Sequence, residues 1–337
     1  MLREILVRHS PLTPRRLAAT LTLLTILLMA VALAGISVGS VSIPVGKMLG
    51  SLTGAEHLSE AERTILVSIR LPRLILAMLV GAGLSVAGLV FQALLRNPLA
   101  EPYILGISSG GTVGTLLAIA FSLGIVGTSL SSFAGSSLVM LLVYGIAQRR
   151  GQMDTNTLLL AGVMTGAFFN AVVLLIIAVM NQELRNAFLW LMGNLSGATP
   201  EAIMTVGPFV LLSSVVLLVH AKNYNLIATG DESALQLGVN VRGVKRLSYL
   251  LGSLITGLVV SVSGVVGFVG LIIPHICRKL FGPDHRVLLP ASFLLGATFL
   301  VLADILSRTV LAPAEIPVGA VTAAVGAPIF IYLLRRT

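Results

Sequence analysis

Asp304 and Arg308 stand one helical turn apart inside an apolar run, and of the thirteen acids in this 337-residue chain only Asp304 lies well within such a run. A carboxylate placed there could bind a coupling ion or join an ion pair, and the i,i+4 spacing favours the pair. Other chemistry is thin. His9, His57, His220, His275 and His285 show no metal-ligand spacing. The single Cys277, beside Arg278 at a helix end, excludes a disulfide framework or a cysteine metal site and reads as a small packing residue. Gly46-Lys47 is followed by Met48 and lacks the upstream glycine of a phosphate-binding loop. No Ser-His-Asp or Cys-His grouping is suggested. The chain binds no cofactor by this reading, and the energy for any work must come from outside it.

One locally ordered, exposed element remains. In the stretch 226–238, LIATGDESALQLG, Gly230-Asp231 starts a helix, the early acids suit its positive end, and Gly238 stops it. A helix lying on lipid headgroups needs a basic polar face, and this one is acidic. Docking of another protein is the better reading.

These residues must be positioned by apolar helices. Hydrophobic residues make up 56% of the chain and charged ones 10%. Spans are expected near 16–39, 71–95, 100–122, 126–147, 157–180, 201–220, 246–266, 268–281, 287–309 and 318–334, the eighth short and carrying Pro274. The fold class is therefore all-α and polytopic, a single transmembrane domain over 1–337. Arg15 and Arg16 before an apolar run ending near Ala32-Leu33-Ala34 resemble a signal peptide, but with so many spans following, a retained first helix is favoured. With ten spans and the N-terminus inside, sixteen of the twenty-two Lys and Arg residues fall on one side, which places both termini in the cytoplasm. The net charge of +9 reflects this sidedness and contact with anionic lipid, and no basic stripe with interleaved aromatics points to nucleic acid.

The chain also repeats itself. Residues 70–98 and 246–274 align without a gap, and the matches that count are Arg70/Arg246, Gly81/Gly257, Ser85/Ser261, Gly88/Gly264 and Pro98/Pro274. The two copies run in opposite directions across the membrane, giving inverted halves over roughly 70–180 and 246–335 with a cytoplasmic loop at 221–245. Inverted repeats of this kind recur in transporters. Gly106, Gly110 and Gly114, like Gly81, Ser85 and Gly88, lie on helical faces that suit close packing in lipid.

Arg70-Leu71-Pro72-Arg73 and the runs GAGLSVAGLVFQALLRNPLAEPYILGISSG (81–110), VVGFVGLIIPHICRKLFGPDHRVLLP (265–290) and EIPVGAVTAAVGAPIFIYLLRR (315–336) carry a specific resemblance. From about residue 20 onward the chain resembles the permease family of ABC importers for iron–siderophores, haem and cobalamin. The resemblance implies a ten-helix permease of a bacterial inner membrane acting as a homodimer. Two cytoplasmic ATPase subunits and an extracytoplasmic binding protein would be its partners, ATP being bound by the ATPase. It also implies roles for residues. Arg70, Arg73 and Arg308 would dock the binding protein; Asn97, Leu99, Thr155 and Asn156 would form the cytoplasmic gate. Asp231, Glu232, Ala234, Leu235 and Gly238 would belong to the ATPase-coupling helix, with Ala234 and Gly238 in close contact. Glu183–Gly197, with Phe188 and Trp190, resembles the family's short outer helix, and Gly162–Asn170 would line the pathway. His275 and Asp284-His285-Arg286 take structural roles.

An ion-coupled carrier working without an ATPase, and a membrane scaffold, are the competing readings. Within the importer reading, ferric siderophore ranks first, haem second and cobalamin third.

Overall fold

A computed structural model describes residues 13–39, 41, 43–53, 58–149, 152–179 and 190–334. Ten apolar helices occupy the ten expected runs: α1 (Pro14–Ser37), α4 (Leu71–Leu95), α5 (Ile107–Ala120), α6 (Gly124–Ala147), α7 (Thr155–Val179), α8 (Pro200–Val219), α11 (Val241–Ser263), α12 (Val269–Phe281), α13 (His285–Thr309) and α14 (Val318–Leu334). Among the described residues seven helices are long and apolar enough to cross a membrane by length and composition; α5, α12 and α14 are shorter. Four short helices were not expected as such or only in part: α2 (Val45–Thr53), α3 (Glu60–Thr64), α9 (Ala221–Ala228) and α10 (Asp231–Gln236). A Ser59/Glu62 capping box starts α3, and a π turn over Ile65–Arg70 carries it directly into α4.

The helix α4 is buried nearly all round and packs against α13, α11, α12 and α8. Its small residues allow that. A methyl group on Gly81 would overlap the Gly296 carbonyl of α13, and one on Gly88 would overlap the Gly270 carbonyl of α12. Backbones in such direct contact gain dispersion that lipid cannot supply.

The two repeat copies fold differently. Residues 71–95 form one continuous helix, whereas 247–271 break over 264–268, between α11 and α12. Gly264 (φ 66°) and Phe268 (φ 69°) turn the chain there. A second stretch without α-helix, 97–106, which holds a single 3-10 turn over Pro102–Leu105, follows α4 and precedes α5, a helix of 14 residues. At 1.5 Å per residue α5 reaches only about 21 Å, short of the hydrocarbon thickness.

The two irregular stretches meet. Phe268 N donates to Glu101 Oε1 (2.6 Å), Val266 N to Tyr103 Oη (3.1 Å), and Asn194 N to the Ser263 carbonyl (2.8 Å). The Val266 and Phe268 amides and the Ser263 carbonyl, freed by the break, are thus bonded inside the protein, the arrangement that a lipid environment favours.

Gly88→Val should force α4 and α12 apart at a cost of about 1–3 kcal/mol or more. Gly145→Ala on α6, with open space around it, should change stability by less than about 1 kcal/mol. Thermal unfolding in detergent measures both, and equal effects would contradict the packing argument.

Candidate functional site

At one end of the bundle α1 finishes with unsatisfied carbonyls, and arginines from two other helices supply their donors. Arg70 Nη1 donates to the carbonyls of Ile36 (2.6 Å) and Ser37 (3.0 Å), and Nη2 to that of Val41. Arg308 Nη2 donates to the Gly35 carbonyl (3.0 Å) and Nη1 to that of Val38 (3.3 Å). Cations suit a helix C-terminus, where the dipole is negative. Arg73 and Arg308 share Asp304 at 2.8 and 3.0 Å, and Arg73 also reaches Glu315 at 2.9 Å. The expected Asp304–Arg308 pair is present, enlarged into an ion network of two arginines and two acids, with Arg70 bonded beside it to the α1 carbonyls.

Arg70, Arg73 and Arg308, expected to dock a binding protein, are turned inward. They are only 6%, 5% and 8% exposed, because their guanidinium groups satisfy α1 and Asp304 instead of facing water. Glu315, 42% exposed at its side chain, is the member of the network that reaches the surface.

The opposite end holds the gate and coupling candidates. Arg96 ends α4 in a left-handed conformation (φ 48°), and Asn97 Oδ1 accepts from Leu99 N (2.9 Å) to close the following turn. Leu99 is exposed there. The helix α7 begins at Thr155, with Asp154 Oδ1 accepting from Thr157 N (2.7 Å); Asn156 is exposed beside it. Between them sits α10, bounded by Gly230 (φ 126°) and Gly238 (φ 82°), the glycines at which the sequence starts and stops it. Glu232, Leu235 and Gly238 are exposed, while Ala234 is fully buried. Ala234 is therefore corrected from a contact position to an anchor: its methyl faces the protein's own core.

Asp231 joins these parts. Its two carboxylate oxygens lie 3.2 Å from Arg96 Nη2 and 2.5 Å from Lys245 Nζ, and Lys245 also donates to Thr155 Oγ1 (3.3 Å). Sequence reasoning singled out neither Arg96 nor Lys245, and the 14 residues from Asp231 to Lys245 cross a helix boundary that no local pattern bridges. Nor did it single out Glu101, whose partner is 167 residues away.

A cavity of about 590 Å³ opens beside the 96–98 turn, bounded by Gln92, Asn225, Arg278 and Asp284. Asn225 bonds both Asp284 Oδ1 and His285 N (2.8 and 2.9 Å), locking α9 to the start of α13. His275 packs edge-on against Phe330, and among the described residues no three metal-ligating side chains gather. Cys277 is buried. On α7, Val163, Met164 and Phe168 of the expected pathway stretch are exposed, and Asn170 accepts from Ser109 Oγ (2.8 Å). Phe188 lies outside the described residues; Trp190 borders a second cavity of about 560 Å³ with Asn194, Thr199 and Ser261.

Helices long and apolar enough to span a membrane, interrupted where their breaks are bonded inside the protein, describe a multi-pass membrane protein. Residues 26–336 match the FecCD transport family. The chain is 42% identical over 316 residues to the uncharacterized ABC transporter permease protein YvrB of Bacillus subtilis, covering 90% of this chain and 89% of that one. It is 39% identical over 320 residues to the hemin transport system permease protein HmuU of Yersinia pestis, covering 93% and 94%. A solved inward-facing metal-chelate type ABC transporter superposes with a TM-score of 0.85 at 32% identity, over 94% of this chain and 99% of that one. The chain belongs to the FecCD transport family and is the permease component of a metal-chelate type ABC importer.

Removing one member of the buried network strands the others. Asp304→Ala should cost about 3–5 kcal/mol, whereas Glu315→Gln at the surface should cost less than about 1 kcal/mol. Detergent thermal melts compare the two, and equal costs would refute the burial argument.

Burial pushes the Asp284 carboxyl up, but bonds from Arg286 and Asn225 outweigh it and hold it down at about 2, against an ordinary 3.8. A depressed carboxylate adds stability above its unfolded pKa and loses it as pH falls through the folded one. Asp284→Asn should therefore melt below wild type at neutral pH, the gap closing between about pH 5 and about pH 2. A gap that stays constant across that range would contradict it.

Proposed function

We propose that this permease works as a homodimer in a bacterial inner membrane, both termini cytoplasmic, and moves a metal chelate inward. Two ATPase subunits act on the cytoplasmic face and an extracytoplasmic binding protein delivers the cargo. The observation that carries the reading is α10: a short helix presenting Glu232 and Leu235 outward while Asp231 ties it to both gate segments. A surface helix joined in this way is suited to receive movement from a partner. The exposed apolar face of α7, with Met164 and Phe168, supports a pathway completed by a second copy.

Ferric siderophore is the first choice of cargo, haem the second and cobalamin the third. Named relatives include a cobalamin permease of Halobacterium salinarum at 44% identity and an iron(3+)-hydroxamate permease of Bacillus subtilis at 38%. The spread of cargoes at similar identity fits selectivity residing in the binding protein. Because Arg70, Arg73 and Arg308 are internally bonded, docking through them requires a partner carboxylate to displace Glu315 from Arg73. Asp304, held by two arginines, is poorly placed to bind a coupling ion.

Reconstitution tests this. Proteoliposomes holding the chain and its co-encoded ATPase should hydrolyse ATP faster when loaded binding protein is added, and should accumulate one labelled chelate. Uptake by the chain alone, driven by an ion gradient, would overturn the proposal in favour of a carrier.

A further inference from the structure

At the α10 end of the bundle a single carboxylate holds two cations from different elements. Arg96, the last residue of the α4 helix turn, immediately precedes the Asn97–Leu99 turn, and Lys245 sits near the start of α11 with its ammonium also on Thr155 Oγ1 at the first residue of α7. Asp231, α10, the 96–99 turn, α7 and α11 are thereby one connected set.

The burial is uneven, and that decides how the set behaves. The Lys245 side chain is 5% exposed, while those of Asp231 and Arg96 are 35% and 42% exposed. A buried ammonium left without its carboxylate is strongly disfavoured, so Asp231 cannot withdraw without Lys245 following or Thr155 giving way. Arg96, by contrast, is held in a left-handed backbone conformation that a side chain disfavours. It also borders the cavity of about 590 Å³, which leaves its turn room to shift. The helix α10 lies between two glycines with positive φ and keeps one buried anchor, Ala234. It has the form of a short lever bounded by two glycine turns.

We propose that the Arg96–Asp231–Lys245 contact is the joint through which displacement of α10 reaches both gate segments, with Arg96 and Lys245 as positioning residues. The proposal rests on the reading of α10 as the ATPase-contacting helix. Movement of Asp231 carries the Arg96 guanidinium, and with it Leu99, in the same step that it loads Lys245 and Thr155. Both sides of the gate then move together.

The test uses the complete reconstituted system with two variants. D231N/K245M removes both charges, so no ammonium is left stranded in the core. R96Q alters only an exposed arm. Cargo moved per ATP hydrolysed should fall by about tenfold or more in each. Maleimide labelling of L99C provides a second readout, since the one native cysteine, Cys277, is buried. In the L99C background without these changes, adding nucleotide should alter the labelling rate; with R96Q or D231N/K245M added, that response should disappear. Wild-type transport per ATP together with a preserved nucleotide response in both variants would overturn the joint. Failure of the unaltered chain to engage the ATPase would instead remove the underlying reading, and the two failures are distinct.

Discussion

Lipid offers no hydrogen bonds, so each backbone amide at membrane depth must find its partner within the protein. Continuous helices meet that demand internally. The interruption at 97–106 meets it largely by local turn bonds, and that at 264–268 partly through the first, Tyr103 and Glu101 accepting from the Val266 and Phe268 amides. The close approach of Gly88 to Gly270 brings the second break against α4, so the small residues and the broken helices are parts of one solution.

The same economy governs charge. Arg70 and Arg308 are costly to bury, but α1 ends in carbonyls that would otherwise be unpaired, and the two needs cancel. Asp304 neutralises what remains of Arg73 and Arg308. At the α10 end, Asp231 plays the equivalent part for Lys245 and Arg96. Each end of the bundle is thus organised round one carboxylate with two cations, but Asp304 is buried whereas Asp231 and Arg96 are partly open to solvent beside a cavity.

Much of this was legible in the sequence, for reasons of locality. Ten apolar runs predict ten apolar helices, Gly230-Asp231 and Gly238 bound α10, and four residues' separation suffices for Asp304–Arg308. What escaped depends on long separations. Arg308 bonds the Gly35 carbonyl 273 residues away, and an arginine near a helix end has the same local pattern whether it snorkels to water or folds back on a carbonyl. Ala234 escaped for a related reason: a six-residue helix is too short for periodicity to show which side faces in. The expected spans divide the second repeat copy near 267; the structure breaks it from Gly264 onward, whereas the counterpart Gly88 lies in a continuous helix. The difference comes from what surrounds each glycine: the Gly270 carbonyl lies against the first and the Trp190 carbonyl against the second.

That divergence gives the two copies different mechanical characters. The first is an unbroken helix, buried along almost its whole length, running from Arg73 in the Asp304 network to Arg96 at the solvent end. Twenty-three residues at 1.5 Å span about 35 Å without a hinge. A shift of the Asn97–Leu99 turn can therefore arise only by tilting α4 as a rod or by rotation at its terminal residue. Tilting would disturb the backbone contacts with Gly270 and Gly296 together with the ion network, all at once. Rotation at Arg96 disturbs one exposed ion pair and relieves a left-handed backbone. Local change at the solvent end is by far the cheaper course, and the buried length of α4 is what makes it so.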